Sequence, residues 1–283
     1  MKALIYLSAS ALLCASLPAT SIVIRHDVDD ALYRATPSDF PPLATLYRIG
    51  AHGTLIAPQW VVTAAHTVFC VEPGSRIQIG NSLREVEARY AHYQYERGDN
   101  RDIALLKLKT PVDDVQPANL YVGDKEAGRA IWFIGSGGSG NGDVGQTISY
   151  KENAGTLRKA QNRVREVDEG EIFFTFNKGG DAMPLEGVSG NGDSGGPAYF
   201  YENDHYTLLG ISSRNDSWFK DIGEYGVNEV YTRVSYYHNW LHNVMTESAS
   251  FIEKYTTDER FPQPGIEDRL PEICSKISFP AKT

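Results

Sequence analysis

Three short segments carry residue types that could break an acyl bond together. They are Val61-Val62-Thr63-Ala64-Ala65-His66, Asp102-Ile103-Ala104-Leu105-Leu106-Lys107-Leu108 and Gly190-Asn191-Gly192-Asp193-Ser194-Gly195-Gly196-Pro197. A serine hydroxyl is a poor nucleophile at neutral pH and needs a base within hydrogen-bond reach. An imidazole changes protonation near neutrality, so His66 suits that task. The base must keep one tautomer and tolerate becoming positive. A buried carboxylate on its far nitrogen does both, and Asp102 at the start of an apolar run is placed for it. Alone, each residue has a plainer reading: a structural histidine, a turn aspartate, a glycine-rich loop. Jointly, with their flanks intact, the three segments point to nucleophilic catalysis by Ser194, His66 and Asp102.

Such residues must be brought together by other elements. Strand-like runs recur between turn formers at Leu43 to Ile49, Thr54 to Ile56, Val61 to Thr63, Arg76 to Ile79, Val86 to Tyr90 and Ile103 to Leu108. A second series covers Ala130 to Ile134, Ile148 to Tyr150, Glu171 to Phe176, Ala198 to Tyr201, Thr207 to Ser212 and Glu229 to Val234. Two sets of about six predict an all-β chain with two six-stranded antiparallel barrels. The polar stretch Pro111 to Gly128 reads as the crossover between them. Trp240, Leu241 and Val244 fall at helical spacing, predicting a C-terminal helix. The proline-bearing residues 246–283 read as an irregular tail.

The 283 residues carry a net charge of −9, which argues against nucleic-acid binding. Lys2, the short apolar run Ala3 to Ala15 and the small residues after it read as a signal peptide over 1–21. A small–x–small pattern fits Ala19-Thr20-Ser21 and would leave Ile22 as the mature N-terminus; cleavage after Ala19 fits as well. The expected product is secreted, extracellular or periplasmic, with no membrane attachment afterwards. Removing the leader leaves Cys70 and Cys274, and an even count in an exported chain favours one disulfide over two free thiols. No zinc-type cysteine or histidine spacing occurs, so neither a metal nor a cofactor is expected. Gly135-Ser136-Gly137-Gly138-Ser139-Gly140 matches a dinucleotide-binding pattern by letter, but no helix follows, so it reads as a flexible loop.

In the order His, Asp, Ser, these segments resemble the chymotrypsin- and trypsin-like serine peptidases, over about residues 22–245. The resemblance implies a serine endopeptidase that cuts protein or peptide substrates through an acyl-enzyme, with protein inhibitors as further partners. It implies backbone N–H groups of Gly192 and Ser194 as the oxyanion hole, and Ser213 as support for Asp102. It implies an ion pair between Asp193 and a freed Ile22 N-terminus. Val188, Asn215 and Glu229 align with the specificity pocket. Val188 stands where trypsin-like members place an aspartate, which removes the usual basis for Lys or Arg preference. Glu229 either accepts a basic side chain or, with Asn215, narrows the pocket to small ones. Thr67 and Ala51 replace a usual cysteine pair, and the short stretch Asn81 to Arg89 predicts no calcium. A catalytically inert binding module and an esterase are the competing readings.

Overall fold

The computed structural model describes residues 21–95, 100–153, 155–217, 219–246, 248–257 and 267–279. The expected leader, apart from Ser21, lies outside the described residues. The first half forms a barrel. Its strands Leu43–Leu46, Ala51–Ala57, Trp60–Thr63, Arg76–Ile79, Ser82–His92 and Ala104–Leu108 pair in a ring, closed where Ser82–His92 meets Ala104–Leu108. Side chains alternate across a strand, and here both faces are buried. Val61, Leu106 and Leu108 fill the barrel, while Val62, Ile103 and Leu105 face Ile211, Tyr237 and Trp240 from the second half. Burial on both faces explains why Ala104–Leu108 reads as a continuous apolar run rather than an alternating one.

The second half is a larger sheet built on Ala130–Gly135, Arg158–Arg163, Glu171–Thr175, Pro197–Glu202, His205–Asn215 and Asn228–Arg233. It curves as a half-barrel around Phe133, Phe174 and Tyr231, and among the described residues no continuous hydrogen-bonded ring closes it. A separate four-stranded sheet completes that side. Its member Ile22–Ile24 lies between Ser139–Asn141 and Gly187–Val188. The fold is thus the two-barrel type expected, with Val234–Met245 as the C-terminal helix.

Two expectations change. The tail carries helices Ala249–Tyr255 and Leu270–Ile277; Leu270, Cys274 and Ile277 form an apolar face on the first barrel's core, which orders the segment. The glycine-rich segment is not a flexible loop. Ser139–Asn141 is a paired strand, and a Cβ at Gly137 would fall 2.6 Å from the Asp193 carboxyl carbon. Its glycines therefore allow close packing against the Ser194 loop.

Candidate active site

His66 sits in a turn of 3-10 helix, Ala65–Cys70, directly after the first-barrel strand Trp60–Thr63. That strand pairs with Ala104–Leu108, Thr63 opposite Ala104, so Asp102 emerges beside the histidine. The Asp102 carboxylate accepts from the His66 backbone N–H at 2.9 Å and from Nδ1 at 2.7 Å. The bond from Nδ1 fixes the proton there, so Nε2 is the unprotonated, basic nitrogen of the neutral ring. Ser213 adds a third donor, its Oγ 2.6 Å from Asp102 Oδ2. Burial alone would raise the Asp102 carboxyl. The His66 charge and these hydrogen bonds outweigh it and hold the group below the usual carboxylate range.

Ser194 approaches from the second half. Its loop is locked by Gly195 N–H to Ser212 O at 2.8 Å and Ser212 N–H to Gly196 O at 2.9 Å, one residue from Ser213. Gly195 packs so closely on Thr63, His52 and Ala64 that a Cβ there would lie 2.2 Å from Thr63 Oγ1. The serine loop is thereby set against the chain that leads into His66.

Beside Ser194 the backbone presents donors outward. The Asn191 carbonyl is held by Gly138 N–H at 2.7 Å. Because the peptide is trans and planar, the Gly192 N–H points the opposite way. Neither Gly192 N–H nor Ser194 N–H has a partner among the described residues. Gly192 has φ of 96°, which only glycine adopts without strain. The intervening Asp193 turns inward, accepting from Gly137 N–H at 2.7 Å and Gly190 N–H at 2.9 Å. Burial pushes its carboxyl up to about 7.

A family model for trypsin matches residues 32–241. The chain belongs to the trypsin family. It is therefore a hydrolase, a serine endopeptidase that acts on protein or peptide substrates.

In this trypsin-family enzyme Val188 is buried and its backbone pairs with Val23. Asn215 and Glu229 are register partners on adjacent strands. The Glu229 carboxylate turns onto Ser189 N–H at 3.0 Å, and burial pushes it up to about 8. Cys70 and Cys274 form a disulfide, with Cα atoms 5.6 Å apart. Among the described residues no cluster of three or more His, Cys, Asp or Glu could hold a metal, and no helix is long and apolar enough to cross a membrane.

His52 went unread in the sequence. It is fully buried, and its Nδ1 lies 3.0 Å from Gly192 O. Its Nε2 faces Ser136 N–H at 3.3 Å and Ser136 Oγ at 3.1 Å. Because Ser136 N–H can only donate, Nε2 is the acceptor and Nδ1 carries the proton. Burial holds the ring down at about 4, against the opposing bond to Gly192. No spacing signal marks it; only the close approach of two distant loops does.

Proposed function

We propose that the enzyme cleaves peptide bonds through an acyl-enzyme formed on Ser194. The Ser194 hydroxyl attacks the scissile carbonyl while His66 Nε2 takes its proton. Asp102 steadies the imidazolium through Nδ1, and Ser213 steadies Asp102. The carbonyl electrons move onto oxygen, which is met by the N–H groups of Gly192 and Ser194. Collapse expels the amine, protonated by His66. Water, deprotonated by the same nitrogen, then releases the acid and frees Ser194. The observation that carries this reading is the buried Asp102, bonded at once to His66 and Ser213 next to the Ser194 loop. A fluorophosphonate probe should label Ser194 stoichiometrically, and Ser194→Ala should abolish both labelling and turnover. Labelling elsewhere, or full activity in Ser194→Ala, overturns the assignment.

We further infer that the enzyme is exported and that cutting after Ser21 completes it. Ile22 has φ of 60°, a left-handed conformation costly for a β-branched residue, by roughly 1–3 kcal/mol. That strain needs the preceding carbonyl, so cleavage of the Ser21–Ile22 bond relieves it. Ser21 Oγ is bonded to Gly135 O at 3.0 Å, and Gly135 packs on the Asp193 carboxylate. A freed Ile22 ammonium would be released beside a buried carboxylate that backbone N–H groups alone now satisfy, favouring an ion pair between them.

A further inference from the structure

Two side chains press on Gly192, and both are held by the C-terminal tail. His52 is the first. Its ring bonds to Gly192 O at 3.0 Å, and its backbone N–H bonds to Ser194 O at 2.9 Å, so one residue holds both carbonyls flanking Asp193. Tyr150 is the second. A Cβ at Gly192 would meet the Tyr150 Cβ at 2.9 Å, so the tyrosine forms a wall against that glycine.

The tail reaches both. Phe279 is 6% exposed, and its ring sits edge-on to His52, with centroids 5.9 Å apart, and to Tyr150, at 5.3 Å. Tyr150 donates its hydroxyl to Ile277 O at 3.0 Å, while Phe279 N–H bonds to Tyr47 O at 2.7 Å. The helix before these residues is anchored by Cys274 to Cys70, the last residue of the turn that carries His66. The strap therefore runs from the turn bearing the base to the glycine bearing an oxyanion donor.

We propose that this strap is a working part of the active site: Phe279 and Ile277, tethered through Cys70–Cys274, position His52 and Tyr150, which in turn set the Gly192 N–H. The proposal rests on the reading of Gly192 as an oxyanion donor. The physical reason is that a glycine at φ of 96° has no side chain to fix its torsions, so its peptide planes must be held from outside. Gly138 holds the plane before it and His52 the plane after it. A phenylalanine packed on a buried neutral imidazole excludes water, which would otherwise compete for Gly192 O. His52, Tyr150 and Phe279 are thus positioning residues that act through Gly192 and touch no substrate.

The test uses the full mature chain and a peptide p-nitroanilide, with kcat, KM and thermal midpoint measured together. Phe279→Ala should lower kcat about tenfold with KM held within about twofold, a fraction of the roughly 10²–10³ lost with a whole oxyanion donor. Affinity for a peptide aldehyde, whose hemiacetal oxygen occupies the same hole, should fall by the same factor. His52→Phe removes the donor and should behave likewise. His52→Asn keeps a donor where Nδ1 stands and should restore most of kcat. A lowered thermal midpoint with kcat and aldehyde affinity unchanged in Phe279→Ala and His52→Phe overturns the proposal. Should Phe279→Ala not fold, the folded wild type is reduced and its free thiols counted. A selective drop in kcat then supports the strap, and retained kcat overturns it. Wild-type protein that fails to label at Ser194 brings down the proposed function as well; normal labelling with indistinguishable variants brings down the strap alone.

Discussion

Ser213 donates its hydroxyl to Oδ2 of Asp102, the same oxygen that His66 Nδ1 approaches, at 2.6 and 2.7 Å respectively. One carboxylate oxygen therefore stands between the two barrels' contributions. Ser213→Ala leaves that oxygen one donor short, and a hydrogen bond to a charged group contributes about 1.5–3 kcal/mol. Activity should fall roughly tenfold, 1.4 kcal/mol being a factor of ten. Asp102→Asn should be far worse, about 10⁴ in kcat, because the amide favours the wrong tautomer. Steady-state kinetics on one peptide substrate checks both, and a Ser213→Ala enzyme equal to wild type would show that the third donor is idle.

The Ser21–Ile22 junction gives a second expectation. Secreted protein should begin at Ile22 by N-terminal sequencing. A chain retaining Ser21 should be nearly inactive, and Asp193→Asn should match it. Removing one partner of a buried ion pair costs about 3–5 kcal/mol. Equal activity in a Ser21-retaining chain refutes the pairing.

Glu229 supports a statement about substrate choice. Its carboxyl, pushed up to about 8 by burial and tied to Ser189 N–H, is largely neutral at pH 7 and needs no cation. A peptide library at that pH should therefore show small uncharged residues before the cut, with Glu229→Gly shifting the preference to larger ones. A Lys or Arg preference that vanishes in Glu229→Gln would instead make this carboxylate a counter-ion.

Acid stability follows from His52 and His92, each held down at about 4 chiefly by burial. Between pH 6.5, the ordinary value, and pH 4 the unfolded chain binds protons that these folded rings refuse. Stability is thus fully present above the unfolded value and declines as pH falls towards 4, by about 3 kcal/mol for His52 alone. Glu229, and Asp193 while the chain is still joined at Ser21, act oppositely: their raised folded values, about 8 and about 7, add stability at low pH that fades as pH rises through them. Because these carboxyls oppose the histidines between pH 4 and 6.5, wild type and His52→Asn are compared by thermal midpoint from pH 4 to 8, and the acid limb should lie flatter or rise towards acid in the variant. A limb unchanged in that variant assigns the loss to other groups.

Much of the fold was legible because its signals are local. Arg76–Ile79 appears with its expected bounds, since alternating apolar residues between turn formers set it. Arg158–Arg163 was missed, since its composition is polar and charged. Arg158 is nonetheless fully buried, and Asp30, far away in sequence, pairs with it at 2.7 Å. Ile22–Ile24 was missed because three residues carry no period, and both its neighbours come from distant segments. Helix Leu270–Ile277 was hidden by Pro271, which is tolerated in the first turn of a helix.

The sequence by itself determined which residues the proposed chemistry uses, because a candidate nucleophile, base and orienting carboxylate are recognisable by residue type and immediate flanks. It also marked a run in each of the six strands of the first barrel. Only the tertiary structure decided what holds Gly192. His52, Tyr150, Gly138 and Phe279 meet there from four separate stretches of chain, and a contact between residues so far apart leaves no trace in spacing. Their grip depends on burial and on the direction of single hydrogen bonds, which exist only once the chain has folded.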